Sequence, residues 1–289
     1  MPLSSAARQR LIRFAQVLVG GPAVTFGGLA LWTRKCAFEP FGPDIDALFR
    51  HPILKELNPR KNPSTHDCCV RKVPFEELRP ELLEDARKGG SALVEEFSRG
   101  MWAGYGYGIQ RRIMGLTKSP ENRTDLWTPE ELGQSTYEPE TVLTNHFLVL
   151  DKSATSITFR GCPDPKESPF EPRDLDNLFS LTAELNEKRK QAEFRLKAIT
   201  FDAVTTTPKE DPFGGVPGVL HRIYAKLLVE AAVGCPTLLI RPSNSILIPA
   251  GNVFSLRTPD SALQRCSPGA DSWPAHLLNP PPVSHYGLF

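Results

Sequence analysis

The side chains that could perform acid–base chemistry in this chain are a histidine and a tyrosine in apolar surroundings. His146 lies in a predicted strand beside apolar residues, and because an imidazole titrates near neutral pH it could act as a general base facing a cavity. Tyr107 could place a phenol group in such a cavity, since buried phenols seek hydrogen-bond partners. Both residues are therefore catalytic candidates, with a structural role in the core as the alternative.

Other residues could bind a ligand without transforming it. Tyr105 shares a glycine-rich stretch with Tyr107, and Arg111 follows, where it could meet a carboxylate through two hydrogen bonds. His221 and Arg222 open a predicted helix, where a cation is slightly unfavourable, so Arg222 is expected to pair with an acidic residue such as Asp202 or Glu193. Core packing and ion pairs between elements are the alternatives. The candidate ligand-binding residues are Tyr105, Tyr107, Arg111, His146, Phe194, His221 and Arg222.

No motif in the chain fixes a reaction. Asp67 beside His66 is a conceivable acid–base pair, but neighbours on a strand face opposite ways. The chain has no nucleophile-elbow serine, no zinc-protease histidine pair and no dinucleotide fingerprint. Its six cysteines form no C-x-x-C pair and none has a histidine at zinc-ligand spacing, so no metal and no cofactor is predicted. With a formal net charge of +1 and no basic stretch interleaved with aromatics, nucleic acid is set aside as a partner.

The first element that must position these candidates is a predicted strand, HDCCVRKVPF, ending at Pro74. Its adjacent Cys68 and Cys69 must point to opposite faces, so one thiol is expected to be buried and the other exposed. Two helices are predicted next, in EELRPELLEDARKGG and SALVEEFSRG, from apolar residues at helical spacing. The following MWAGYGYGIQRRIMGL alternates glycine with larger residues, which predicts a strand whose bare face lets a helix or ligand approach.

Two hairpins are predicted in the middle of the chain. The first is TNHFLVLDKSATSITFRG, residues 144–161. In the second, residues 179–185 and 192–198 each have one apolar face, which is typical of an antiparallel sheet buried on one side. The apolar phase then moves to Ile199 and Phe201, which predicts either a bulge or a second packed face.

The last predicted element is the best amphipathic helix of the chain, VLHRIYAKLLVEAAV. Proline is frequent from Pro236 onward and no period is sustained, so little stable structure is expected there. The apolar stripe predicted for the helix consists of Val219, Leu220, Ile223, Tyr224, Leu227, Leu228 and Ala231.

The amino-terminal segment FAQVLVGGPAVTFGGLALWT, residues 14–33, contains no charged residue and just reaches the length of about 20 that a helix needs to span a bilayer. A single-pass membrane anchor is expected. A cleaved signal or a mitochondrial presequence is one alternative, because no acidic residue precedes Glu39, and a buried helix is another. Asn122 opens an Asn-x-Thr sequon that could be glycosylated only if the domain is lumenal.

These signals divide the chain into four parts and predict an α+β fold, since strands and helices come in separate runs. The parts are a membrane-anchor or targeting segment (1–36), a linker rich in proline and charge (37–64), the main domain (65–235) and a proline-rich, disordered tail (236–289).

Residues 65–233 resemble the START-like, helix-grip superfamily of polyketide cyclases and lipid-transfer proteins, and most closely a largely fungal set within it. The stretches that carry the resemblance are HDCCVRKVPFEELRPELL, SRGMWAGYGYGIQRR, TNHFLVLDKSATSITFRG, AEFRLKAITFDA and LHRIYAKLLVEAA. The resemblance implies a curved antiparallel sheet that grips the long carboxy-terminal helix. It also implies a hydrophobic cavity for a lipid, polyketide or terpenoid between the two.

Three functions fit this picture. The first is membrane-associated binding of a small lipophilic metabolite, in lipid handling or secondary metabolism. The second is a cofactor-free cyclase, isomerase or dehydratase, whose pocket would hold a reactive conformer. The third is a non-catalytic scaffold or assembly protein of an organelle membrane. Polar residues converging inside the cavity would favour catalysis, and the absence of a cavity of about 300 Å³ would favour the scaffold.

Overall fold

The computed structural model of the chain describes residues 27–207, 211 and 214–240. It is an α+β fold with one curved, seven-stranded antiparallel sheet and a carboxy-terminal helix. The strands are β1 (Cys36–Glu39), β2 (Ser64–Pro74), β3 (Val142–Leu143), β4 (Phe147–Lys152), β5 (Ser156–Gly161), β6 (Asp176–Asn186) and β7 (Gln191–Phe201). The helices are α1 (Pro52–Leu57), α2 (Pro80–Arg87), α3 (Ala92–Ala103), α4 (Tyr105–Met114), α5 (Pro129–Gln134) and α6 (Val216–Val233).

Most of the predicted membrane anchor, residues 14–26, lies outside the described residues. Residues 27–32 are helical and lead directly into β1. Within the ranges that the structure describes, no helix has the length and apolar character needed to cross a bilayer.

The strand order is β1-β2-β7-β6-β5-β4-β3, so β2 joins the sheet beside the last strand and the other strands follow as hairpins. Both predicted hairpins are confirmed, as β4–β5 and β6–β7. The three longest strands, β2, β7 and β6, pair without interruption over their whole lengths. They form a regular platform on which inward-facing side chains have a fixed register.

The concave face of the sheet packs against α3 and α6, which meet at Gly100. A Cβ at this position would lie too close to the carbonyl oxygen of Ala232 and 3.0 Å from its Cα atom. The main core forms here, from inward residues of the predicted alternation such as Phe179 and Phe194. The face of the sheet that packs against the helices is therefore the apolar face that the alternation of apolar and polar residues predicts.

The convex face of the sheet carries a second core, and the expected linker 37–64 helps to build it. Its residues Leu48 and Leu57 pack on Ile199 and Phe201 of β7. β7 shows no bulge, so the change of apolar phase reflects a second packed face. The sequence predicts a linker here because prolines and charged residues separate the apolar ones. Several of the apolar residues nevertheless pack on the sheet.

Both faces of the sheet are covered, so the prediction that one of the two adjacent cysteines is exposed is wrong. Cys68 and Cys69 point to opposite faces, and both are buried. Burial raises the pKa of the Cys68 thiol to about 11, so it stays protonated at neutral pH.

The glycine-rich stretch after α3 is helical, and the predicted strand there is wrong. The chain turns at Gly104, whose backbone is extended, and continues as α4. The bare face expected from the glycines does serve close approach, because a Cβ at Gly106 would lie 2.9 Å from the Cβ of Ala231 in α6. The glycines at every second position therefore lie in a helix, one of them at a helix–helix contact. Their spacing alone does not distinguish such a helix from a strand.

Two glycine substitutions should have opposite effects on stability. Gly100→Ala places a methyl group against the backbone of Ala232, and overpacking of this kind costs about 1–3 kcal/mol of unfolding free energy. Gly108→Ala places a methyl group in open space within α4 and should stabilise by up to about 1 kcal/mol through higher helix propensity. Urea unfolding of both variants checks this, and a stabilised Gly100→Ala would contradict the packing described.

The long helix α6 is confirmed, but its buried face is rotated from the predicted stripe. The first turns leave Val216, Val219 and Leu220 more than half exposed. The buried residues are Ala225, Leu228, Val229, Ala231, Ala232 and Val233. The carboxy-terminal half of α6 therefore anchors the helix, while its first half is held more loosely.

The expected tail from residue 236 begins with ordered residues. Leu238 is fully buried, and Leu239 forms an isolated bridge with Leu78. The amide of Ile240 donates to the carbonyl of Glu77. Residues 241–289, the rest of the predicted tail, lie outside the described residues.

Candidate functional site

A cavity of about 60 Å³ lies between the concave face of the sheet and helices α3, α4 and α6. Its wall is mainly aromatic and aliphatic. The apolar lining residues are Met101, Trp102, Phe147, Phe179, Leu196, Ala198, Ala225 and Leu228, and the polar ones are Tyr107, Gln110, Asn177, His221 and Tyr224.

Trp102 is the centre of the apolar wall. Its ring lies 4.8 Å from the ring of Phe147 and meets Tyr107 edge-on at 5.0 Å. α3 delivers this side chain because Trp102 lies on the same face as Phe97 and Met101, which are buried in the core. Such a cluster offers aromatic faces and edges to an apolar ligand.

The polar end of the cavity lies under the first half of α6. Nε2 of His221 is 3.6 Å from Oδ2 of Asp67, a residue of β2. Oδ1 of Asp67 is buried and has no hydrogen-bond partner. Asp67 does form an acid–base pair, but with His221 and not with its neighbour His66, because the strand turns consecutive side chains to opposite faces.

Asn177 supplies another polar group to the cavity lining. β6 places it opposite Thr200 of β7, and its Nδ2 donates to the Thr200 hydroxyl at 2.8 Å. Its Oδ1 is buried and has no partner. Asn177 was not among the predicted site residues, although its phase along β6 matches that of Phe179 and would have placed it inward.

Two tyrosines complete the polar lining near the helices. Tyr224 donates from its hydroxyl to Oε1 of Gln110 at 2.7 Å, which ties α6 to α4. The hydroxyl groups of Tyr107 and Thr144 are 2.5 Å apart. Burial raises the pKa of both tyrosines above the usual phenol value, so they remain neutral hydrogen-bonding groups at physiological pH.

Of the predicted site residues, Tyr107 and His221 line the cavity. His146, the other catalytic candidate, does not. It is buried edge-on against Phe147, with ring centres 4.8 Å apart, and burial lowers its pKa to about 4. A neutral imidazole outside the cavity wall cannot act on a molecule inside it, so the structure does not support His146 as the catalytic base.

The remaining ligand-binding candidates also lie away from the cavity. Arg111 donates from Nη1 to the carbonyl of Trp102, and the Arg222 guanidinium lies over the Phe38 ring at 4.1 Å. Phe194 packs against Phe97 in the core. Tyr105 is about half exposed and stacks on Trp32 at 5.3 Å. Their roles are packing and ion–aromatic contacts between elements.

Asn122, the sequon residue, is buried. Its Nδ2 donates to the carbonyl of Thr117, and its Oδ1 accepts from the amide of Ser119. The nitrogen that would carry a sugar is therefore engaged in the folded chain.

The described ranges contain no group of three or more side chains arranged to hold a metal ion. The five cysteines in those ranges are buried. The polar groups at the cavity are the His221–Asp67 pair, the amides of Gln110 and Asn177, and the phenols of Tyr107 and Tyr224.

Comparison with protein-family models, curated proteins and solved structures finds no match for this chain. The topology and the cavity therefore carry the functional argument by themselves. They define an α+β domain in which an antiparallel sheet and a carboxy-terminal helix enclose a small, mostly apolar cavity with one polar end.

Proposed function

We propose that this protein is a membrane-associated, START-like helix-grip domain that binds a small lipophilic molecule, a lipid, polyketide or terpenoid, in the cavity beneath α6. The topology supports the helix-grip assignment. The long strand β2 precedes helices α2 to α5, consecutive hairpins return to it, and the carboxy-terminal helix α6 lies across the concave face.

The observation that carries the proposal is the cavity itself, whose mostly aromatic and aliphatic wall also contains Gln110, Asn177 and Tyr224. A scaffold that filled its own interior with side chains would leave no such cavity. A ligand with an apolar body and a polar group would match this lining.

The cavity is smaller than the roughly 300 Å³ at which ligand pockets begin, so a ligand of that size needs the cavity to widen. The first half of α6 is the element that can move. Val216 and Leu220 are exposed there, whereas Val229 and Val233 anchor the second half. Displacing the first half would open the polar end, where His221 lies.

Membrane association is supported by where the uncharged segment 14–33 meets the domain. Trp32, near its end, stacks on Tyr105 at the start of α4. α4 then exposes Ile109, the turn that follows it exposes Leu116, and α6, tied to α4 through Tyr224, exposes Val216. Exposed apolar side chains on neighbouring elements are typical of contact with a membrane or a partner.

The test is native mass spectrometry of the full chain, expressed in a eukaryotic host and extracted gently with its membrane fraction. A bound small molecule of lipophilic class is the expected result, and it should be lost from a Leu228→Trp variant, whose larger side chain fills the cavity. Ile45→Trp, at an exposed position outside both the cavity lining and the proposed membrane-contact surface, is the control and should keep the molecule. A protein that stays empty after challenge with lipid, polyketide and terpenoid extracts would contradict the proposal and favour the scaffold function.

The His221–Asp67 pair supports a second candidate, a cofactor-free cyclase, isomerase or dehydratase. A histidine oriented by a carboxylate can accept or donate a proton at the cavity wall. Incubating the protein with its co-purified molecule and following conversion by mass spectrometry separates the two functions. Conversion that His221→Gln abolishes, with binding retained, would favour the enzyme, and no conversion would favour the carrier.

A further inference from the structure

We infer that the exposed face of α4 is the surface by which this domain lies on a membrane, and that this face fits a bilayer rich in anionic phospholipid. The inference rests on the proposed function, because it presupposes that the protein is membrane-associated. It names the face that makes the contact and the class of lipid that this face selects.

Helix α4 has its large apolar residues on the outside. Gly106 packs against α6, where a Cβ would lie 2.9 Å from the Cβ of Ala231. Away from this contact, Ile109 is 74% exposed. A helix on the surface of a soluble domain normally has the reverse arrangement, with polar residues outward. The exposed apolar residues of α4 and of the turn that follows it, here called the α4 stripe, are Tyr105, Ile109, Ile113 and Leu116.

The α4 stripe forms one surface. Its members follow each other at three or four residues, which at 3.6 residues per turn places them within about 80° of one another around the helix axis. Tyr107 and Gln110 lie outside this arc and line the cavity. The same helix therefore presents one face to the ligand cavity and an apolar face to the surroundings.

The chain that enters the domain extends the α4 stripe. The uncharged segment ends at Thr33, and the ring of Trp32 stacks on the ring of Tyr105 at 5.3 Å. Leu31 and Trp32 are both exposed. Tryptophan is enriched where a membrane meets water. An apolar stripe that begins where an uncharged segment ends favours a bilayer as its occupant over a second copy of this chain.

The charges around the α4 stripe select the lipid. Residues 27–35 and 104–118, which build this surface, contain no aspartate or glutamate. Arg112 lies beside the stripe on α4 and Lys35 follows Trp32, and both are exposed. Neither forms an ion pair with another residue in the ranges that the structure describes. Each basic residue close to an anionic leaflet strengthens binding by about fivefold, so this surface favours anionic lipid.

The test places an environment-sensitive NBD amino acid at position 109 of the full chain. The protein is reconstituted in liposomes of phosphatidylcholine alone, or of phosphatidylcholine with one-third phosphatidylserine. We expect the label to be at least about twofold brighter on the anionic liposomes and to be quenched there by doxyl-labelled lipid. Raising NaCl from about 0.05 M to about 0.5 M should remove most of this difference, because salt screens surface charge.

The same label at position 45 is the control for position. Ile45 is exposed, and its neighbour Asp46 pairs with Lys197 on the convex face of the sheet, away from α4. Its fluorescence should be the same on both liposomes. An equal response at positions 45 and 109 would contradict the assignment of the contact to α4.

A double variant assigns the lipid preference to the basic residues. Lys35→Gln with Arg112→Gln should abolish most of the difference between anionic and neutral liposomes, because together the two residues strengthen docking by about 25-fold. Arg87→Gln with Lys88→Gln, which removes two exposed basic residues from α2, is the matched control and should keep the difference.

The remaining outcomes separate this inference from the proposed function. A label at position 109 that stays in water while the chain floats with the liposomes overturns the inference and leaves membrane association standing. Equal brightness on both liposomes overturns the preference for anionic lipid. A signal that rises with protein concentration in the absence of lipid overturns the inference in favour of a second copy. A chain that floats with neither liposome contradicts the membrane part of the proposed function as well.

Discussion

Replacing Arg160 by Met should cost about 3–5 kcal/mol of unfolding free energy, because it leaves the carboxylate of Asp176 buried without its cation. Both side chains are fully buried, and the guanidinium forms two bonds to the carboxylate, at 3.1 and 2.6 Å. The same guanidinium donates to the carbonyls of Ser168, Pro169 and Glu171. It thereby fixes the loop that joins β5 to β6, the strand that carries Asn177.

Chemical denaturation at pH 7 measures this loss. Burial raises the pKa of Asp176, and Arg160 opposes that rise, so removing the arginine should let the carboxyl take up a proton as the pH falls. The destabilisation of Arg160→Met relative to wild type should then shrink as the pH is lowered from 7.

Two further variants separate the buried charge from lost packing. Arg160→Met combined with Asp176→Leu should be more stable than Arg160→Met alone, since no unpaired charge remains. Arg87→Met removes the arginine of an ion pair with Glu187 that is about half exposed, and it should leave stability essentially unchanged. A double variant no better than the single one would contradict the charge argument.

Lowering the pH from 7 to 4 should remove about 3 kcal/mol of stability through His146 alone. Burial lowers the pKa of this imidazole from 6.5 to about 4. Between about pH 4 and pH 6.5, His146 binds a proton in the unfolded chain but not in the folded chain. The stabilising contribution is therefore complete above pH 6.5, falls as the pH drops through this window, and is lost below about pH 4.

The comparison that isolates this effect is wild type against His146→Gln, which keeps a polar side chain but does not titrate. Urea unfolding at several pH values between 4 and 7 should show the wild type losing about 3 kcal/mol more than the variant. Parallel stability curves would contradict the lowered pKa of His146.

The β6–β7 hairpin was predictable from its alternating apolar and polar residues, because every second side chain is buried on the same face of the sheet. In the β6–β7 hairpin, Phe179 and Phe194 mark the inward face, and the strands pair without a bulge. Asn177 could have been found by extending the same phase. The helix α6 was also predictable as an element, but its orientation was not, because Val219 and Leu220 are as apolar as Val229 and Val233 that are buried.

Strands β2 and β4 to β7 and the long helix α6 follow from local sequence pattern, because side-chain periodicity along one element depends only on that element's geometry. Tertiary packing makes α4 helical, since Gly106 suits a bare strand face and a close helix contact equally. It alone decided that 37–64 covers the convex face. It alone brought His221 to Asp67 and Asn177 to the cavity, because partners far apart in the chain meet through strand register and helix packing, which no local period encodes.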